Sequence, residues 1–469
     1  MKRIYLKEEN KMRFWDDKLK IEPIYLINFL AKNGFQRFKY DDKELKPNII
    51  QQVDNKLNPF NEHNLLLFCC NYVKKHEFED KSVVLNNLVK GTNLLTNRSL
   101  TALPEFNSSI LRDTSSSSYF PFKNGVVEVK SNSISLNKYG EFEKFVWEKH
   151  IIDHDVKVLS LNKTLETSVF YKFLKDICES SLSHEASRNR YERLISMLGY
   201  LMHNYRDKSN SKSIIFMDDK IDGNPNGGTG KGILLDAIDK LRKVTKIDGK
   251  SLDLNQRFAF QQVELDTEIV QFDDVERNFN FEKLFPAITE GVSVEKKGKD
   301  KILIPFEKSP KIAITTNYAI NGSGSSHRRR KLEFDLTSYY SDKYSPYDKF
   351  NHLFFQDWDT EQWNSFYNLM LHITRFYLKN DIVEYNSEIL EAKHVLNETS
   401  QCFVEFVKKI KIGVTYNKNE LYKKYVEAYK EKDAISPNRF TKYLKSLAEI
   451  KGKKYSEGHS NSDYYFEIR

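Results

Sequence analysis

Residues 222–235 read DGNPNGGTGKGILL. The residues before them, 213–217 (SIIFM), are a short apolar run, and 233–241 (ILLDAIDKL) lead away as a helix. The order is strand, glycine loop, helix. A loop built this way can wrap a polyphosphate. Gly227, Gly228 and Gly230 lack Cβ atoms, so consecutive backbone N–H groups can turn inward on an anion. The helix that follows adds the positive end of its dipole. Lys231 supplies a mobile ammonium for the outer phosphates. The match to G-x-x-x-x-G-K-[ST] is imperfect. Pro225 stands at the first glycine position, and Gly232 stands where a hydroxyl normally reaches Mg2+. Taken alone, the loop fits a nucleotide cradle and a plain strand-to-helix turn equally well.

Residues downstream favour the cradle. The stretch 264–275 reads ELDTEIVQFDDV, in which 269–272 is a buried-type strand ending in Asp273 and Asp274. Triphosphate hydrolysis needs one carboxylate near Mg2+ and one that orients and polarises water. Asp273 is assigned to the metal and Asp274 to the water; an exposed acidic turn is the plainer alternative. Residues 311–317, KIAITTN, form another apolar strand ending in a polar residue. Asn317 stands beside Asp274 if the two strands are neighbours, where its amide can hold the lytic water or the γ-phosphate. Residues 325–332, SSHRRRKL, follow with three adjacent arginines. An arginine at a subunit edge can stabilise charge on the γ-phosphate of the next subunit. Arg328 and Arg329 are taken as the candidates, and a solvated basic patch is the alternative. Between the acidic strand and Asn317 lies 292–305, VSVEKKGKDKILIP. Two β-prone arms flank Lys296, Lys297 and Lys299, a hairpin with a basic tip. Such a tip can contact phosphates without reading sequence.

The 469 residues are enough for several domains. The net charge of +8 is a modest basic excess, compatible with a nucleic-acid partner. The four cysteines, Cys69, Cys70, Cys178 and Cys402, have no zinc-ligand spacing and suggest no disulfide framework. A reduced compartment follows. The start, MKRIYLKEENKMRFW, lacks an apolar signal-peptide core, and no apolar stretch is long enough to span a bilayer. The expectation is a cytoplasmic protein without a membrane partner.

Residues 1–110 carry no catalytic spacing, and the run at 65–68 beside Cys69 and Cys70 reads as core. Residues 119–129, YFPFKNGVVEV, form a hairpin about Asn124 and Gly125. Residues 151–156, IIDHDV, fit a solvated turn or a pair of metal carboxylates, Asp153 and Asp155. From 168 to 204 the pattern is helical, with Leu194, Met197, Leu198 and Leu201 on one face and Arg188, Arg190 and Arg193 just before. Residues 359–380 form a helix capped by Asp359 with Gln362. Near the C-terminus, Leu421, Tyr422, Tyr425 and Tyr429 line one helix, and Ser436 and Pro437 start a second whose buried face is Phe440, Leu444 and Leu447. Arg439, Lys442 and Lys445 fall on its other face. Residues 453–468 then form two strands around a turn at 458–461. Helix, helix, hairpin is the winged-helix plan, with the basic helix suited to a major groove; protein docking is the alternative.

The ordered set of phosphate loop, acidic strand, basic hairpin, strand ending in Asn, and arginines resembles the superfamily 3 helicases, a branch of the AAA+ ATPases. It is similar to the replication helicases of phages, plasmids and integrated elements, and to the helicase half of poxvirus-type primase-helicases. The carrying residues are GGTGK at 227–231, FDD at 272–274, EKKGK at 295–299, TTN at 315–317 and RRR at 328–330. The resemblance covers about residues 115–469. It implies an α/β fold: an AAA+ P-loop ATPase core, with a helical N-terminal region and a C-terminal winged-helix domain. The expected divisions are 1–110, a pre-motor region with a helical collar at 111–205, the motor at 206–345, a helical connector at 346–395 and the winged helix at 396–469. It implies ATP held by Asn226, Gly227, Gly228, Thr229, Gly230, Lys231 and Gly232, and Mg2+ on Asp273. It further implies a ring, usually a hexamer, with an arginine from the neighbouring subunit at each site. Single-stranded DNA would thread the centre past the lysine hairpin, moved 3′ to 5′. Duplex DNA, and a primase or polymerase, are further expected partners. Gly232 and Pro225 depart from the pattern and leave turnover open. Two other functions stay in play: an ATP-switched origin-binding or loading protein that unwinds nothing, and a primase-helicase.

Overall fold

The apolar run before the glycine loop extends one residue further than its hydrophobicity indicates. It becomes strand β1 (Ser213–Asp218), buried along its whole length. β1 lies inside a five-stranded sheet with β2 (Val244–Asp248), β3 (Ile269–Val275), β6 (Lys311–Thr316) and β7 (Lys331–Leu336). Two further strands, β4 (Gly291–Val294) and β5 (Ile302–Pro305), pair with each other as an antiparallel hairpin. The sheet order is β7-β1-β6-β3-β2, and every pairing is parallel. β6 is also buried throughout, as expected of central parallel strands covered on both faces. This computed structural model describes residues 13–39, 48–91, 93–179, 183–219, 228–264, 266–298, 301–322, 324–460 and 463–469. Among them, no helix is long and apolar enough to cross a membrane.

The chain divides into two units. The first comprises Met1–Arg112, Tyr119–Val127 and Leu136–Asp155; the second comprises Asp113–Ser118, Glu128–Ser135 and Val156–Arg469. The first unit corrects the expectation of a helical N-terminal region. Its helices Pro23–Lys32, Glu62–Lys75 and Lys81–Lys90 accompany a sheet ordered Phe35–Phe38, Asn48–Val53, Lys56–Phe60, Val146–Trp147. These strands (FQRF, NIIQQV, KLNPF) are short and mix polar with apolar residues, so no clean period of two marks them. Their pairing is decided by packing rather than local propensity. Leu65 and Cys69 are fully buried in this core with Phe14, Phe29 and Phe35. Burial pushes the Cys69 thiol up to about 12, which keeps it protonated and a packing residue. Asp153 and Asp155 are exposed in an irregular segment, and Asp153 lies 3.3 Å from Lys123, the arrangement of a solvated turn.

In the second unit the helical stretch from 168 to 204 is interrupted. Val169–Asp176 is one helix, and α1 (His184–Met202) is another. α1 is buried without a break from Arg193 to Met202, rather than along one apolar face. Helix Thr360–Asn380 crosses it closely. A Cβ added at Gly199 would sit 2.4 Å from Tyr377 Cβ and 2.8 Å from the Ile373 carbonyl oxygen, so only glycine permits the approach. Arg190 of α1 is likewise core: its guanidinium is 3% exposed and 2.9 Å from the fully buried Asp335 of β7. Removing one partner of such a pair typically costs about 3–5 kcal/mol, because the other charge stays buried.

The C-terminal part holds four helices relevant below. Besides α2 (Lys231–Asp239), α3 (Ser325–Arg330) and α4 (Thr360–Asn380), these are α5 (Glu388–Glu398), α6 (Gln401–Val407), α7 (Lys418–Tyr429) and α8 (Pro437–Ile450). Asp359 caps α4 by accepting from Gln362 N, and Ser436 caps α8 by accepting from Arg439 N. Three antiparallel strands complete the module: β8 (Thr415–Asn417), β9 (Tyr455–Ser460) and β10 (Asp463–Ile468), in the order β8-β10-β9. Gly458 is inside β9, paired with Tyr465, rather than in the turn the sequence suggests. β8 is too short to signal itself. Phe440, Leu444 and Leu447 are buried, and Arg439, Lys442 and Lys445 are exposed.

One buried group gives the second unit a pH dependence. His203 ends α1 at 3% exposure, with Nε2 2.7 Å from the Thr114 carbonyl oxygen. Burial pushes its ring down to about 4. The unfolded chain therefore takes up this proton first, and stability falls as pH drops from about 6.5 to about 4. The shift corresponds to ~3 kcal/mol, fully present above pH 6.5. Urea unfolding at pH 7 and pH 4 should show the wild type losing more stability than His203→Gln, by roughly this amount; equal losses would contradict it.

Candidate functional site

The site grows from the carboxyl ends of β1, β6 and β3, which the parallel order sets side by side. Strands in such a sheet are spaced about 4.8 Å apart, so groups at neighbouring tips come within reach of one another. Ligands of open parallel sheets bind in the crevice outside these ends.

At the tip of β1 stands Asp218, followed by the glycine loop. Asn226 and Gly227 lie outside the described residues. Gly228, Thr229 and Gly230 are described, and Gly230 precedes α2 with φ of +102°. A Cβ there would meet Phe173 Cζ at 2.7 Å, so both the turn and the packing demand glycine. Lys231 is the first residue of α2. Its Nζ donates to Asp218 Oδ1 at 2.6 Å and to Asn317 Oδ1 at 2.5 Å. The Thr229 hydroxyl donates to the same Asp218 oxygen.

Asn317 follows β6 and bridges outward, its Nδ2 donating to Asp274 Oδ1 at 3.2 Å. Asp274 is aimed by an irregularity in β3. Pairing with β6 runs in step to Phe272 opposite Ile314, then resumes at Val275 opposite Thr316. Two residues of β3, Asp273 and Asp274, therefore face one of β6, which is a β-bulge. Asp274 takes φ of +53°, a region Asp tolerates better than most side chains. Thr315 fastens the bulge: its Oγ1 accepts from Asp274 N at 2.7 Å and donates to Asp273 Oδ1 at 2.7 Å. Gln271 Nε2 also donates to Asp273 Oδ1, at 3.2 Å. Lys250 lies 2.6 Å from Asp274 Oδ2, but it is largely exposed, so this pair stabilises little.

Lys231, Asn317, Asp274 and Asp273 thus sit on one edge, as do Thr229 and Gly230. Gly232 is the second residue of α2, where an added Cβ would meet nothing within 4 Å. The arginines are elsewhere. α3 leads into β7, whose first residue, Lys331, pairs with Ser213 at the start of β1. Arg328 and Arg329 therefore lie one strand length, about 17 Å, from the glycine loop of their own chain. Both are exposed; Arg328 donates to the Glu449 carbonyl oxygen at 3.2 Å. Arg330 packs over Phe285, 4.5 Å from the ring centre. Lys296 and Lys297 follow strand β4. Lys296 pairs with Glu264 at 2.7 Å, and Lys297 is exposed. Lys299 lies outside the described residues.

Sequence reasoning missed Asp218 and Lys393. Asp218 directly follows the apolar run SIIFM, and a carboxylate at a strand end just before a glycine loop is a usable signal. Lys393, on α5, is buried and donates to the Asp218 carbonyl oxygen. Nothing in EILEAKHVLNE links it to a loop so far away in the chain.

Residues 224–330 match a protein family of unknown function (DUF5906). No curated protein matches the chain. Solved structures similar to it include the A form apo structure of the NrS-1 C terminal region, at 12% identity and a TM-score of 0.42, covering 96% of this chain and 100% of that one. The apo structure of NrS-1 C terminal region (305-718) is similar at 14% identity and a TM-score of 0.43, covering 95% of this chain and 99% of that one.

Proposed function

We propose that the chain is an ATP-dependent DNA helicase of the superfamily 3, AAA+ type, moving 3′ to 5′ on single-stranded DNA to replicate a phage, plasmid or integrated element. One observation carries this reading. An ammonium on a glycine turn, an amide and a carboxylate are hydrogen-bonded in series across three adjacent parallel strand tips: Lys231, Asn317, Asp274. In the proposed reaction Lys231 binds the outer phosphates of ATP, and the glycine-loop N–H groups with the α2 N-terminus hold the rest. Asp274 accepts a hydrogen bond from the attacking water, and Asn317 fixes that water against the γ-phosphate.

Mg2+ takes oxygen ligands, with one or two carboxylates completed by water and phosphate. The donors at this edge are carboxylate and amide oxygens, which fit. Asp273, with Oδ1 already oriented by Thr315 and Gln271, would hold the ion. Among the described residues no cluster of three or more His, Cys, Asp or Glu offers an all-protein cage. Bound there, the ion would offset charge on the β- and γ-phosphates.

On this reading Arg328 and Arg329 serve a neighbouring subunit, because their own loop is a strand length away. The β4–β5 hairpin presents Lys297 to a DNA backbone. The C-terminal module is read as a winged helix, with Arg439, Lys442 and Lys445 of α8 facing duplex DNA. A hexameric ring and a primase or polymerase partner belong to the same proposal. A second reading, an ATP-switched origin-binding or loading protein, is favoured by Gly232, which offers no hydroxyl to Mg2+.

Two measurements test these readings. Lys231→Ala should reduce ATP hydrolysis by about a hundredfold or more while leaving duplex binding within about twofold of wild type. Unchanged hydrolysis would refute the loop assignment, and hydrolysis by the wild type without strand displacement on a forked duplex would favour the switch. Gly232→Ser fits the open space beside α2 and should not destabilise the fold, since serine is a better helix former by roughly 0.5 kcal/mol. If the missing hydroxyl limits Mg2+ binding, its ATP hydrolysis saturates at lower Mg2+ concentration than that of wild type; identical Mg2+ titrations would show that the hydroxyl is not limiting.

A further inference from the structure

Asp218 is 4% exposed, and its Oδ1 is shared by the Thr229 hydroxyl and the Lys231 ammonium. Oδ2 is buried and has no hydrogen-bond partner among the described residues. The carboxylate therefore engages the ammonium that a phosphate would require. When Lys231 turns to a phosphate, Asp218 stays buried and loses its counterion. A buried carboxylate stripped of its partner is strongly disfavoured.

A second ammonium is already beside it. Lys393 is 5% exposed and donates to the Asp218 carbonyl oxygen. That is its hydrogen bond among the described residues, although an ammonium carries three donors. Burial lowers its pKa, against the charges of Asp218, Asp335 and Asp219, and Lys231 adds repulsion. Moving Lys231 away would remove that repulsion and leave Lys393 as the ammonium beside Asp218, with the Thr229 hydroxyl still donating to it. The helix around it is anchored to the sheet. His394 Nε2 is 2.9 Å from Glu333 Oε2 on β7, and Asn397 Nδ2 donates to the Ala319 carbonyl oxygen at 2.9 Å. From the same helix, Ala392, Val395 and Leu396 pack into the C-terminal module, and Lys451 pairs with Glu391.

Building on the nucleotide reading above, we propose that Lys393 is a positioning residue: it becomes the counterion of Asp218 when Lys231 leaves for a phosphate. It never touches nucleotide itself. Because α5 is shared with the C-terminal module, the exchange also gives that module a physical link to the state of the loop.

The test uses the full chain and a fluorescent ATP analogue with Mg2+. Lys393→Met should weaken analogue binding about tenfold or more, and Lys393→Arg should restore most of it. The nucleotide-free melting temperature of Lys393→Met should not fall, because an apolar side chain replaces a buried charge. In an Asp218→Asn background, Lys393→Met should change affinity less than twofold, since a neutral amide needs no counterion. Wild-type affinity in Lys393→Met, or equal weakening in both backgrounds, would overturn the proposal. So would a lower melting temperature with unchanged affinity, which marks a purely structural lysine. Should Asp218→Asn not fold, the Met and Arg variants and their melting temperatures still decide. Absence of saturable binding by the wild type would instead sink the nucleotide reading on which this rests.

Discussion

A buried carboxylate held by an ammonium at the end of β1 is the constraint on which the candidate site depends. Asp218 and Lys231 have side chains 4% and 12% exposed, and Lys231 reaches across to Asn317 as well. Burying two charges gains little stability, since desolvation offsets most of their attraction. A buried aliphatic pair would hold a strand to a helix at least as well. Both charges make physical sense if the pair is provisional, with Asp218 occupying the ammonium until another anion arrives. The pair also fixes the geometry of its surroundings. It sets the rotamer of Lys231, draws Thr229 inward and points the start of α2 at the crevice.

The sheet order decides what that ammonium can meet. β1 lies between β7 and β6, and β6 lies between β1 and β3. Among the described residues, Asn317 at the end of β6 is therefore the strand-tip position next to both the loop and the acidic pair. The bulge in β3 then separates the roles of two consecutive acids. Without it, alternation along the strand would turn Asp273 and Asp274 to opposite faces. With it, Thr315 ties Asp273 down through its hydroxyl, while Asp274 swings to Asn317. Consecutive carboxylates thereby acquire different environments, as needed where one is to hold a cation and the other to orient water.

Much of this edge was legible because strand tips advertise themselves. An apolar run closed by Asp-Asp or by Asn leaves few places for the polar residue except the end of a buried strand. Helix starts were equally legible, since Asp359 and Ser436 cap in place. What failed was anything settled by distant packing. Arg190 read as one of three basic residues just ahead of an apolar face, and it is the buried partner of Asp335, 145 residues along the chain. α1 showed one apolar stripe, but small and polar residues such as Ser196 and Gly199 are buried too, where neighbours leave no room for water. The N-terminal strands carried no alternation to read. Lys393 reaches Asp218 from a helix 175 residues away, and no local pattern encodes that meeting.

Charge balance at the crevice carries the last step. Among the described residues at the tips of β1, β6 and β3, the carboxylates of Asp218, Asp219, Asp273 and Asp274 stand near the ammonium groups of Lys231, Lys250 and Lys393. These ammonium groups do not outnumber the carboxylates, so among the described residues the edge carries no surplus positive charge. A polyphosphate entering it adds negative charge that these side chains do not offset. On the proposed reading Mg2+ would offset part of that charge, and groups from a neighbouring copy would offset the rest. Arg328 and Arg329 are exposed at the opposite end of the sheet, too far to serve their own loop, and the proposed function has them serve another copy's. If the chain is the motor proposed above, it would bind nucleotide fully only when a neighbour is docked, and assembly would be a condition of turnover and not merely its setting.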